Sequence, residues 1–211
     1  MERRKRYLTI FLAVNLIGIS VALMLESQMG CDPIGLLCDG ISHLLNIQFG
    51  LASFFYNLLM IALALLISRK NLGTGTVVYG LLSGFFIDFY RMIFQAVSLA
   101  DSQFLIRLMA FVLGEILMSA AFAILMQLHL GMTALDAVLM KIREITHLPY
   151  SVLKFTTDTI FVVTGILWGG IFGAGTIASA LVTGFLVSRI ARMIEFFQTK
   201  KDTVMVSEAR S

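Results

Sequence analysis

Six apolar runs, near residues 8–26, 50–68, 75–97, 104–127, 149–169 and 175–195, govern what this chain can become. Each is close to or above the roughly 20 residues that an α-helix needs to cross a ~30 Å hydrocarbon layer. Inside such a layer every backbone N–H and C=O must be satisfied within the protein, and a helix does this within a single segment. Of the 211 residues, 58% are hydrophobic and 14% charged, against roughly 25% charged in a soluble domain. Almost nothing is left over for a water-soluble domain, so a soluble enzyme is excluded. The expected fold is all-α, a single membrane domain of six transmembrane helices in contact with the lipid bilayer.

Two further stretches, 32–46 and 133–146, alternate polar and apolar residues at helical spacing but are too short to span. They are expected to be interfacial or re-entrant helices. The first long run follows Arg3, Arg4, Lys5 and Arg6. It is read as a retained signal-anchor, because no small-x-small cleavage site is evident in Leu25-Glu26-Ser27-Gln28-Met29-Gly30. The same basic cluster accounts for 4 of the 16 Lys and Arg behind the net charge of +3. It sets orientation and does not point to a nucleic-acid partner.

The chain looks duplicated. Arg6 to Gly30 aligns with Arg107 to Gly131 at an offset of 101 residues. Asn71-Leu72-Gly73-Thr74-Gly75-Thr76 aligns with Ile171-Phe172-Gly173-Ala174-Gly175-Thr176 at an offset of 100, as does Ser83-Gly84-Phe85 with Thr183-Gly184-Phe185. The first repeat is 1–101 and the second 102–198, each ordered span, short helix, span, span, with a polar tail at 199–211 expected to be disordered. Three spans per repeat is an odd number, so the repeats are expected to be inverted. With the N-terminus inside, Arg69, Lys70, Lys141, Arg143, Lys200 and Lys201 fall on the cytoplasmic side. The opposite side carries mainly Glu26, Asp32, Asp39 and Asp101, with Arg91 and Arg107 as its basic residues, as the positive-inside rule requires. If the short helices crossed as well, eight spans and parallel repeats would result.

Ionisable groups deep in a bilayer carry the sharpest functional signal, because burying one costs several kcal/mol unless it faces a partner or a cavity. Glu115 lies halfway along the fourth span and Asp158 halfway along the fifth, with Asn57 and Asn15 near the middle of the second and first. Together they suggest a midplane site for a small molecule or ion, with Glu115 or Asp158 as proton carrier. The alternatives are structural: Asp158 paired with Lys154, Glu115 hydrogen-bonded in packing, and the two Asn side chains bonding between helices.

The motif Met29-Gly30-Cys31-Asp32-Pro33 reads as a helix start with Asp32 at the cap and Pro33 at the first position. In its counterpart, Gly131-Met132-Thr133-Ala134-Leu135-Asp136, Thr133 caps and Asp136 completes a capping box. Capping alone explains both; the functional reading has these helix N-termini meeting from opposite faces to line a pathway, with Asp32 and Asp136 in it. The turns Gly73-x-Gly75-Thr76 and Gly173-x-Gly175-Thr176 are helix starts or, alternatively, anion sites. Gly80-x-x-x-Gly84 and Ala180-x-x-x-Gly184 are close-packing motifs, expected to bring the third spans of the two repeats together near the pseudo-twofold axis. Asp88, on the Gly80/Gly84 face, is expected to be solvated or paired with Arg91. The two Cys, Cys31 and Cys38, and the three His make neither a disulfide framework, a metal site nor a nucleophilic arrangement, and no cofactor is implied.

Met29-Gly30-x-Asp32-Pro33, Gly73-x-Gly75-Thr76, Leu130-Gly131 with Asp136, and Gly173-x-Gly175-Thr176 resemble the repeated pattern of the YczE/YyaS/YitT-like bacterial multi-pass membrane proteins. That pattern is similar to L-G-x-G-P-W-D followed by a G-x-G-T turn in each half. Here Asp32 replaces the glycine before Pro33, Gly35 stands at the acid's position, and Thr133-Ala134 replaces Gly-Pro, so Asp136 alone keeps the acid. The resemblance implies a bacterial plasma-membrane protein with both termini cytoplasmic, sometimes suspected of transport. A small secondary transporter is the leading expectation. A binding or accessory subunit of a larger membrane complex is the alternative, and homodimerisation is left open.

Overall fold

The computed structural model describes residues 3–67, 72–127 and 133–208. They form α1 (Arg3–Glu26), α2 (Pro33–Leu45), α3 (Phe49–Ile67), α4 (Thr74–Ala96), α5 (Phe104–Gln127), α6 (Ala134–Thr146), α7 (Tyr150–Leu167) and α8 (Ala174–Glu208), with a 3-10 turn at Leu99–Asp101. Among the described residues there is no strand. Six helices are long and apolar enough to cross a membrane. The other two, α2 and α6, have 13 residues each, about 20 Å at the helical rise, which rules out the eight-span arrangement. The spans fall close to their expected limits except that α8 runs on to Glu208. No Gly or Pro follows Gly184, so nothing in the tail breaks the helix.

Backbone detail repeats at the same offset as the sequence. The residues preceding α2 and α6 are Asp32 (φ −58°, ψ 161°) and Thr133 (φ −59°, ψ 154°). The residues that end them, Asn46 and His147, are both left-handed, at φ 51° and 57°. Helix contacts recur as well: α1 packs on α4 as α5 does on α8, α2 on α7 as α6 on α3, and α2 on α3 as α6 on α7. Near the centre α1 packs against α5. Arg107 Nε, at the start of α5, donates to Ser27 C=O just beyond the end of α1 at 2.7 Å. Two turns on, Gly114 lies against Ser20, Leu23 and Met24, so the two helices run antiparallel.

Each short helix packs on a long helix of the other half. A methyl group added to Gly40 on α2 would stand 2.7 Å from the Gly165 carbonyl oxygen on α7, so the backbones touch where only glycine fits. On the other side, Ala137 of α6 and Ala64 of α3, both fully buried, belong to one cluster. Two ends of the bundle can thus be named by their polar contacts. At one, Glu26 Oε1 accepts from Arg91 Nε (2.8 Å) and Gln95 Nε2 (2.9 Å). At the other, Gln127 Nε2 donates to Glu195 Oε1 at 3.0 Å. These are repeat-related positions with the Glu and Gln exchanged.

The third spans, α4 and α8, do not pack together, contrary to expectation. The central position is taken by α1 and α5, and α4 turns its glycines to α3 of its own half. A methyl group at Gly84 would stand 2.3 Å from the Gly50 carbonyl oxygen, and one at Gly80 would meet Ile61 and Asn57. Asp88 is not paired with Arg91: its Oδ1 accepts from the Gly50 N–H at 2.8 Å, satisfying a free donor in the first turn of α3. Arg91 is engaged by Glu26 instead. The other half lacks this closure. α7 and α8 are not packed along one another as α3 and α4 are, and a methyl group at Gly184 would meet nothing within 4 Å.

Candidate functional site

The N-termini of α2 and α6 carry their acids into the interior between the long helices. Asp32 precedes Pro33, and its Oδ1 lies against the Cα of Gly35, where a methyl group would come within 2.8 Å. At α6, Thr133 Oγ1 accepts from the Asp136 N–H at 3.1 Å and donates to Asp136 Oδ2 at 2.7 Å, the expected cap. The other oxygen, Asp136 Oδ1, accepts from the Tyr150 hydroxyl at 2.6 Å, tying α6 to the first residue of α7. Two turns further along α7, Asp158 is paired with Lys154, as the local alternative had it. Glu115 on α5 is 5% exposed. Its Oε1 lies 2.6 Å from Thr183 Oγ1 on α8, and its Oε2 is buried without a hydrogen-bond partner.

These groups act on one another. Asp32 lies within electrostatic reach of Lys154, Glu115 and Asp158, and Asp158 within reach of Asp136. The phenols of Tyr56 on α3 and Tyr79 on α4 are each within reach of both Asp32 and Asp136. Asp32 is thus linked to Glu115 of α5 and to Lys154 and Asp158 of α7, and Asp158 in turn to Asp136 at the start of α6. Asp32 is half-buried. Two surface hollows lie elsewhere. One of about 300 Å³ is lined by Met140, Arg143, Glu144 and His147 at the end of α6; the other is lined by Leu108, Met109, Val112, Leu113 and Ile116 on the outer face of α5. Neither is lined by a member of the acid cluster. Among the described residues no three His, Cys, Asp or Glu are placed to hold a metal ion.

The Thr183 hydroxyl lies 2.6 Å from both Glu115 Oε1 and the Ser179 carbonyl and 3.1 Å from Ser179 Oγ, so it ties the acid on α5 to α8.

Several residues singled out in the sequence are used elsewhere. Asn15 Oδ1 accepts from the Tyr90 hydroxyl on α4 at 2.6 Å. The amide nitrogen of Asn57 bonds back to Ser53. The Gly73-x-Gly75-Thr76 turn is a helix start in which Thr76 Oγ1 accepts from the Gly73 N–H at 3.3 Å. In the second turn the Gly175 N–H is taken by the Met29 carbonyl at 2.8 Å, and a methyl group on Gly173 would stand 2.2 Å from that oxygen. Gly30, at φ +95°, completes this clasp between the α1–α2 loop and the start of α8, with Thr176 Oγ1 against it. Gly131 lies outside the described residues.

Sequence reading missed Tyr56, Tyr79, Tyr150 and Thr183. Thr183 was visible as the repeat mate of Ser83, a hydroxyl at equal depth in both halves, whereas the tyrosines have no local spacing to the acids they approach.

A family of unknown function, DUF6198, matches residues 4–192, from α1 through most of α8. The chain belongs to that family. An uncharacterized protein of Haemophilus influenzae is 28% identical to it over 189 residues, covering 86% of this chain and 83% of that protein. The uncharacterized protein YyaS of Bacillus subtilis is 20% identical over 190 residues, covering 90% of this chain and 94% of its own length. The resemblance carried by the Gly-x-Gly-Thr turns is therefore borne out as membership of a YyaS-like family. No solved structure matches the chain. The DUF6198 match contains every member of the acid cluster.

Proposed function

We propose that this DUF6198 protein is a small secondary transporter of the bacterial plasma membrane, in which two inverted repeats alternately expose the acid cluster to the two sides. The observation that carries the reading is the unequal state of one repeated helix pair. α3 and α4 are sealed at Gly50, Gly84 and Asp88, while the repeat-related α7 and α8 stand apart at Gly184. A site between one closed and one open pair is what alternating access requires of inverted repeats. The antiparallel packing of α1 and α5 and the matching backbone angles at the two ends of α2 and α6 support the inversion. The charge pattern supports a cytoplasmic location for both termini, and in that orientation the sealed end faces outward and the parted end inward.

Topology tests the frame. With Cys31 and Cys38 replaced by Ser, a single Cys is placed at Asn71 or Phe172 and intact cells are treated with an impermeant thiol reagent. Labelling at Phe172 alone supports the reading, and equal labelling at the two turns contradicts it.

The outer faces of α7 and α8 favour a second reading, a non-transporting subunit of a homodimer or larger membrane complex, because these two spans bury the least of their surface. That protein would bind its ligand or partner without carrying out flux by itself.

A further inference from the structure

We infer that the carboxylate and hydroxyl groups where α5 meets α8 form a binding site for one small alkali-metal cation, sodium by its size. The inference rests on the transporter reading for any coupling of this ion to transport, but not for its binding. Measured contacts hold the site together. Glu115 Oε1 on α5 lies 2.6 Å from Thr183 Oγ1 on α8, which in turn lies 3.1 Å from Ser179 Oγ and 2.6 Å from the Ser179 carbonyl oxygen. Ser119, one turn along α5 from Glu115 and on the same face, adds a further hydroxyl.

Two of these atoms have no hydrogen-bond partner, Glu115 Oε2 and Ser119 Oγ, and their residues are 5% and 0% exposed. Buried oxygens of this kind are costly unless something satisfies them. When Thr183 donates to the Ser179 carbonyl, its lone pairs are left for a cation. Both Glu115 oxygens and the hydroxyls of Ser119, Ser179 and Thr183 then make up the ligand set.

The other half of the chain shows that packing does not require these groups. Val14 and Gly18 stand at the places of Glu115 and Ser119, at an offset of 101 residues, and Tyr79 at the place of Ser179, at an offset of 100. Val14 is wholly buried and packs with Tyr79 and Phe86 of α4. An apolar side chain fills the position there, so the carboxylate on α5 is an addition that helix packing leaves unexplained.

The chemistry selects the ion. Every donor is oxygen, and the set carries one carboxylate, so a monovalent cation leaves it neutral, as a bilayer interior demands. A divalent ion would leave an uncompensated charge, and among the described residues no three His, Cys, Asp or Glu are placed to hold a metal ion. Oxygens within 2.6–3.1 Å of one another leave room for a small bare ion and not for an organic ammonium head. Thr183 is partly exposed and a methyl group on Gly184 beside it would meet nothing within 4 Å, so the site is approached from the side where α7 stands away from α8.

The test uses purified full-length protein in detergent at fixed pH, with the chlorides of sodium, lithium, potassium and choline at equal ionic strength as probes. Thermal stabilisation and the binding of radiolabelled sodium are measured. The expected result is saturable stabilisation by sodium and lithium, weaker by potassium and absent with choline. Apparent sodium affinity should fall roughly tenfold or more in Glu115→Gln and in Thr183→Val, while Ser83→Ala in the other half binds sodium as the wild type does. The second site variant keeps the test open if the first fails to fold. Equal stability in sodium and choline would overturn the assignment, as would sodium binding unchanged in both site variants or potassium bound more tightly than sodium. Sodium binding in a protein whose turns at Asn71 and Phe172 label from the same side would leave this inference standing and remove the transporter reading. Labelling at Phe172 alone, without sodium binding, would do the reverse.

Discussion

The backbone N–H of Gly50 donates to Asp88 Oδ1 at 2.8 Å, and this one bond, beside the Gly50–Gly84 contact, closes α3 onto α4. At the equivalent place in the second half, Ser188 Oγ bonds instead to Gly184 C=O within its own helix. The difference makes the two halves respond unequally to the same substitution. Gly84→Ala forces a methyl group to 2.3 Å from a carbonyl oxygen and should destabilise by about 1–3 kcal/mol. Gly184→Ala should leave stability unchanged or raise it by up to about 1 kcal/mol, since alanine is the better helix former. Thermal unfolding of the two variants in detergent reads this difference.

Glu26 is 4% exposed and depends on Arg91 for its countercharge. Arg91→Ala strands a buried carboxylate and should cost about 3–5 kcal/mol. Adding Glu26→Gln to that variant should recover part of the loss, because the neutral amide tolerates burial. A double-mutant cycle on unfolding measures both.

Asn15 was a candidate ligand, and its bond to Tyr90 gives it a structural role instead. Tyr90→Phe removes that bond and should lower stability by about 0.6–1.7 kcal/mol. A change in ligand affinity with stability intact would return Asn15 to the site.

Gly30 combines a left-handed backbone with contact against Thr176 Oγ1, 2.3 Å from where a methyl group would sit. Gly30→Ala should destabilise by about 2 kcal/mol and loosen the clasp at Met29. Faster hydrogen exchange at the Gly175 amide would show it.

How much of this was legible in the sequence depended on whether the signal was local. Span lengths, the cap at Thr133 and the Lys154–Asp158 pair follow from residues within a turn or two of each other, and all were found, whereas Asp32 stands at the start of α2 without a side-chain cap hydrogen bond. The repeat placed Gly84 and Gly184 at equivalent positions but not against particular neighbours. A small-residue stripe says that a backbone will come close, not which one, and α1 and α5 had already taken the axis. The tyrosines and Thr183 reach the acids only through tertiary packing. The separation of α7 from α8 accompanies Ser151 and Ser188 at the places of Gly50 and Asp88, a difference whose consequence shows only once the helices are packed.

The central claim is that α7 and α8 close when α3 and α4 part. Ser151 and Ser188 stand where Gly50 and Asp88 stand in the first half, at offsets of 101 and 100 residues. In a background of Cys31→Ser and Cys38→Ser, Ser151→Cys and Ser188→Cys should form an oxidative cross-link only transiently populated at rest, more readily in one ligand condition, and the cross-linked protein should lose uptake until reduced. A pair that never cross-links at any pH, in a protein that still carries out uptake, would contradict the account.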